Sequence, residues 1–159
     1  MNIKLVAATA VAAISLSVSA AYADTLSDVK DKGFVQCGVT EGVAGFSIPD
    51  ENNNWSGLEV DYCRAMAAAI FNDPQAVRFT PLNTSERFAA LSSGEIDVLS
   101  RTTTWTMSRD TTLGINFAGV MFYDGQGFMV RKDSGVTSAK DPDGRNIGRQ
   151  YGTDAALNM

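Results

Sequence analysis

Apolar positions along the chain alternate between a short-run and a helical pattern. Phe34 to Val39 (FVQCGV) is a compact apolar run that predicts a first strand. Ahead of it, Thr25-Leu26-Ser27-Asp28 reads as a capping box. It opens a short helix with Leu26 and Val29 on its apolar side, and Gly33 ends it. From Leu58 the period changes, and Tyr62, Cys63, Met66, Ala67 and Ile70 recur at helical spacing until Asn72-Asp73-Pro74. Ala76 to Thr80 predicts a second strand. Asn83 and Glu86 mark another helix start, with Phe88 and Leu91 on the buried face and Gly94 as the stop. Ile96 to Leu99 predicts a third strand. Between Thr40 and Gly57 the chain is rich in Gly and Asn, which predicts a loop with turns at Pro49-Asp50 and Asn52-Asn53-Asn54. This β-α-β-α-β order predicts an α/β fold with a mostly parallel sheet flanked by helices.

The N-terminus obeys a different pattern. Residues 3–20 are apolar apart from Lys4 and lead into Ala21-Tyr22-Ala23, a small-x-small cleavage pattern. This predicts a secretory signal peptide over residues 1–23, cut after Ala23, and places the protein in the periplasm. No second apolar span follows. Export suits Cys37 and Cys63, an even pair in a compartment where disulfides persist. They could bridge the first strand to a helix or remain as two buried thiols; sequence leaves both open.

Charge and composition exclude several function classes. The 159 residues carry a formal charge of −5 and no histidine. An acidic chain lacks the electrostatic footprint of a nucleic-acid binder. Without histidine or a Cys/His cluster, a zinc site and the usual hydrolase base are missing. No Walker loop and no GxGxxG after a strand is present, so no cofactor is implied.

Candidate chemistry concentrates in Gly94 to Asp110, GEIDVLSRTTTWTMSRD. A strand runs out into Thr102, Thr103 and Thr104, and Arg109 follows. In open α/β sheets, ligands bind off the carboxyl ends of strands. Hydroxyls there donate or accept hydrogen bonds, and a guanidinium grips a carboxylate with two parallel bonds. These residues point to capture of a small anionic or zwitterionic molecule. A solvated loop with a surface arginine is the plain alternative.

Four segments, taken in order, extend the argument: Gly57 to Ala65 (GLEVDYCRA), Arg87 to Val98 (RFAALSSGEIDV), Thr104 to Asp110 (TWTMSRD) and Tyr123 to Val130 (YDGQGFMV). Together they resemble the periplasmic solute-binding proteins (family 3) of ABC importers for polar amino acids, above all the general L-amino-acid-binding subgroup. The likeness covers about Leu26 to Lys132. It implies a two-lobed protein of the periplasmic-binding-protein type that closes on one L-amino acid and delivers it to an inner-membrane ABC permease. It further implies that Arg109 holds the ligand α-carboxylate, while Thr102 and Thr104 bind the carboxylate and the α-ammonium. In acidic-ligand relatives, an arginine at the position of Arg87 reaches the ligand side chain, with a hydroxyl at the position of Thr84 nearby. An exposed Arg87–Glu86 ion pair is the competing reading. Phe46 falls where the family places an apolar wall over the ligand, or else packs in the core. Trp105 reads as a packing residue behind the loop. Val43 and Thr40 depart from a lid tyrosine and an acidic-ligand arginine, which argues against a tight glutamate or histidine specialist.

The same resemblance divides the chain into a first lobe over residues 24–131 and the beginning of a second over 132–159. Gly127 to Arg131 would be the crossing strand, Asp141-Pro142-Asp143-Gly144 a turn, and Asn146 to Gly148 a poor lobe-two strand. Gly152-Thr153 sits where the family has a Gly-Thr-Thr turn for the carboxylate, with Asp154 in place of the second threonine; an acid there would repel a carboxylate. Ala155 to Met159 would begin a helix. A second lobe only begun implies a truncated binding protein with impaired affinity. An exported enzyme on the same fold, resembling a cyclohexadienyl dehydratase, is the alternative. Its general acid or base would have to come from Glu41, Glu59 or Asp110, none with an obvious partner. A non-functional fragment is the third reading.

Overall fold

The computed structural model describes residues 24–141 and 146–156. The predicted signal peptide, most of the Asp141–Gly144 turn and the last three residues lie outside the described residues. The chain builds α1 (Thr25–Lys32), β1 (Val35–Val39), β2 (Ile48–Pro49), β3 (Trp55–Ser56), α2 (Leu58–Phe71), β4 (Val77–Pro81), α3 (Arg87–Ser92), β5 (Val98–Leu99) and α4 (Met107–Thr112). A 3₁₀ turn follows at Asp154–Ala156.

A three-stranded sheet has the order β4-β1-β5, and both pairings are parallel. β1 therefore lies at the centre, and the chain passes from one of its flanks to the other by way of α3. Alternate residues of β1 serve the two faces. Val35, Cys37 and Val39 pack with Val29, Cys63 and Ala67 beneath α1 and α2. On the other face Leu82, Ala90 and Ile96 form a second cluster with Leu91 and Leu99. Gly38 admits them, because a Cβ there would stand 2.6 Å from Ile96 Cδ1.

Cys37 and Cys63 form a disulfide between β1 and α2, with Cα atoms 6.3 Å apart. This decides the alternative that sequence left open. The bond closes a loop of sequence separation 26, which in the chain-entropy picture contributes about 3.5 kcal/mol to stability.

The loop before α2 holds structure that composition hid. β2 and β3 form a short antiparallel pair, Ile48 opposite Ser56 and Pro49 opposite Trp55. The Asp50 carboxylate drives the turn by accepting from the Asn52 and Asn54 amides at 2.9 and 2.7 Å. The loop also closes the start of α2, whose first amides would otherwise be orphans. Leu58 N–H donates to the Gly45 carbonyl and Glu59 N–H to that of Phe46. Gly57 permits this approach: its φ is 119°, and a Cβ would lie 2.4 Å from the Phe46 oxygen.

Several sequence expectations need correction. The cap of α1 is Asp24 rather than Thr25, because the Asp24 carboxylate accepts the Leu26 amide at 3.2 Å. Leu26 and Tyr62 are exposed, since neither helix packs its full apolar stripe. β5 begins at Val98 because the Ile96 amide is spent on the Ala90 carbonyl at the end of α3. Gly127 to Arg131 and Asn146 to Gly148 form no strand. No described segment pairs with them, and an unpaired extended stretch has no ladder to join. The tail makes a 3₁₀ turn over Asp154–Ala156, and most of the helix expected to begin over Ala155 to Met159 lies outside the described residues.

Candidate functional site

The carboxyl ends of β1, β4 and β5 converge on a cleft of about 300 Å³. Each strand supplies the residues that follow it: Thr40 and Glu41 after β1, Thr84 and Arg87 after β4, and Arg101, Thr102 and Thr104 after β5. Arg109 arrives from α4, and Thr153 and Asp154 from the tail. The cleft therefore lies where the chain's crossing from one flank of β1 to the other leaves a crevice.

α4 is held at its start by Thr106, whose hydroxyl accepts the Arg109 amide at 3.3 Å. The Arg109 side chain is buried, donates to the Thr104 carbonyl at 2.8 Å and forms a 2.6 Å ion pair with Asp154. The Asp154 carboxylate thus sits in the grip of the guanidinium. The expectation that Asp154 would only repel an incoming anion is incomplete, since it also neutralises Arg109. The Arg109 guanidinium also lies 5.2 Å from the Phe88 ring centre, on the cation-binding face of the aromatic.

Arg87 is 2% exposed, which removes the reading of a surface pair with Glu86. It opens α3, where the Asn83 side chain accepts the Ser85 and Glu86 amides at 2.9 and 3.0 Å. Its terminal nitrogens donate to the Thr102 carbonyl, the Thr103 hydroxyl and the Gly152 carbonyl at 3.1 to 3.2 Å. None of these acceptors is charged. Burial, followed by the neighbouring cations Arg101 and Arg109, pushes the Arg87 pKa down to about 10.

The remaining predicted residues divide clearly. Thr84 is buried and donates to the Tyr151 carbonyl at 2.8 Å. Gly152 lies over the same turn, where its φ of 77° and a Thr84 carbonyl 3.1 Å from a hypothetical Cβ favour glycine. Thr102 and Thr104 line the cleft with exposed side chains whose hydroxyls have no protein partner among the described residues. Phe46 is not brought into this group; it meets Phe122 edge-on at 5.2 Å, outside the cleft lining. Trp105 also stays outside and stacks on Phe117 at 5.1 Å. Val43 is at the rim and Thr40 at the floor.

Sequence reasoning missed Arg101. Its position directly before the threonine run was a signal, but two arginines already filled the imagined roles. The structure places it in the cleft wall, with Nε donating to the Leu82 carbonyl at 3.0 Å. Burial lowers its pKa, and the charges of Glu59 and Glu41 oppose that shift. Of the three acids weighed as catalytic groups, Glu59 is buried and accepts from the Ser47 hydroxyl at 2.6 Å and the Thr40 amide at 3.3 Å. Glu41 stands exposed at the rim, and Asp110 is exposed on α4.

The arrangement can hold a small molecule with a carboxylate and a hydrogen-bonding partner group. Over 158 residues, 99% of this chain, the sequence is 57% identical to the general L-amino acid-binding periplasmic protein AapJ of Rhizobium johnstonii, of which it covers 46%. It is 50% identical over 149 residues to the glutamate/glutamine/aspartate/asparagine-binding protein BztA of Rhodobacter capsulatus, covering 94% of this chain and 44% of that one. Among solved structures, a periplasmic binding protein of an ABC transporter from Brucella ovis with glutathione bound superposes with a TM-score of 0.81 and 60% identity. That match covers 87% of this chain and 44% of the other. The chain thus spans about half the length of these relatives. The sequence pattern of the bacterial extracellular solute-binding proteins, family 3, matches residues 35–150. The chain belongs to the bacterial extracellular solute-binding proteins, family 3.

Proposed function

We propose that the cleft binds the α-carboxylate and α-ammonium of a polar L-amino acid, for delivery to an inner-membrane ABC permease. One observation carries this reading: buried Arg109 already holds a carboxylate, that of Asp154, at 2.6 Å. A ligand carboxylate exchanging with Asp154 would keep the guanidinium paired. The unengaged Thr102 and Thr104 hydroxyls stand beside it to receive the remaining carboxylate oxygen and the ammonium. Names of relatives support the ligand class, since AapJ is a general L-amino acid binder and BztA takes four acidic and amide amino acids.

Residues 24–131 form the first lobe in this reading, and residues 132–159 open the second. Export with cleavage after Ala23 belongs to the same reading, and N-terminal sequencing of the exported protein checks it.

Thermal melts with millimolar L-amino acids test the binding. A ligand at a hundred times its Kd stabilises the fold by about 2.7 kcal/mol, several degrees in Tm. Arg109→Ala should abolish the shift. A shift that persists in Arg109→Ala would place the ligand elsewhere.

A further inference from the structure

Arg101 has an unspent charge. It is 9% exposed and lines the cleft, and its buried Nη1 has no hydrogen-bond partner among the described residues. Its Nε bond to the Leu82 carbonyl fixes the direction of the guanidinium. Ion pairs among the described residues join Lys32 to Asp97, Arg64 to Asp61, Arg109 to Asp154 and Arg131 to Asp133; none reaches Arg101 or Arg87. A buried cation with a free donor is costly unless an anion meets it.

The two arginines differ in what remains available. Arg87 spends its terminal nitrogens on the Thr102 carbonyl, the Thr103 hydroxyl and the Gly152 carbonyl. It positions the threonine loop and the tail turn. Arg101 engages a protein acceptor through Nε alone, leaving the buried Nη1 unpartnered among the described residues. Glu59 and Glu41 are close enough to favour its charged form. Neither acid comes within ion-pair distance of Arg101: Glu59 Oε2 is held by Ser47 and Thr40, and its Oε1, like Arg101 Nη1, is buried without a hydrogen-bond partner among the described residues.

We propose that Arg101 is a ligand-contacting specificity residue, whose terminal nitrogens take a second carboxylate, so that the cleft prefers amino acids with acidic side chains over their amides. The proposal rests on the cleft being an α-amino-acid site, with Arg109 taking the α-carboxylate. A carboxylate matches the two-donor edge of a guanidinium, whereas a side-chain amide offers one oxygen and adds donors that Arg101 cannot accept.

Titration of the ¹⁵N-labelled chain by NMR reads dissociation constants into the millimolar range, and the probes are L-glutamate and L-glutamine. The unaltered chain should prefer glutamate by about tenfold or more, the scale of one charge-assisted hydrogen bond. Arg101→Gln should bring the ratio to about one through loss of glutamate affinity, with glutamine affinity nearly unchanged. Arg101→Lys keeps the charge but loses the planar fork, and should lower the ratio several-fold. If Arg101→Gln does not fold, the Lys variant decides. An unchanged ratio in whichever variant is read overturns the proposal. So does a ratio near one in the unaltered chain, or equal weakening of both ligands in Arg101→Gln, which is what a purely internal role opposite Glu59 would give. Binding of both amino acids without preference sinks Arg101's role alone, whereas binding of neither sinks the amino-acid reading as well.

Discussion

At the residue scale, the site is a balance between guanidinium groups and the acids that restrain them. Arg109 and Asp154 neutralise each other, with side chains 9% and 17% exposed. In the proposed reading a ligand carboxylate displaces Asp154 from Arg109. Asp154→Asn should therefore raise amino-acid affinity by roughly fivefold, the worth of about 1 kcal/mol of ion pairing; the same titration measures it. Affinity that falls instead would make Asp154 a partner of the ligand ammonium. Trp105→Phe should leave binding nearly intact, because Trp105 stacks on Phe117 away from the cleft. Arg87 makes a separate point. With its pKa pushed by burial from the usual arginine range down to about 10, its charge opposes folding at every pH below that value. The penalty is relieved only as pH rises from about 10 toward the unfolded value, so Arg87 adds no slope to stability near neutrality. Arg87→Met should thus change Tm little and still weaken binding, since the loop that Arg87 positions loses its anchor.

At the element scale, the central strand and its two helices were legible because burial on two faces writes a period into the sequence. The β1 run, the α2 heptad-like spacing and the order of elements all follow from that. The β2–β3 pair was not legible. It is two residues per strand and is held by the Asp50 side chain rather than by apolar alternation. The stretch from Gly127 to Arg131 failed the opposite way: its apolar residues satisfy a strand pattern, but a strand needs a partner. Site legibility divided similarly. Arg109 and the threonines follow a strand end, where position alone suggests a ligand. Arg101 was hidden because exposure cannot be read from a polar loop. Two stability predictions belong here. Ile96→Ala removes a side chain that is 1% exposed beneath α3 and should cost about 3 kcal/mol in denaturant melts. Reduction of Cys37–Cys63 should cost about 3.5 kcal/mol by releasing the loop it closes. A loss well below 1 kcal/mol in either case would show that the sheet is held together by other contacts.

At the scale of the whole molecule, one arrangement unites these parts: a parallel sheet whose three carboxyl ends present polar side chains to one cleft, with a disulfide tying its central strand to α2. The most direct test is an amide-resolved NMR map of the chain on addition of an L-amino acid. Shifts should concentrate at Thr40 to Val43, Thr84, Arg101 to Thr104 and Arg109, with Asp154 moving as its carboxylate is displaced. Shifts confined to the opposite end of the sheet, around α1 and Val35, or none at saturating ligand, would contradict the account.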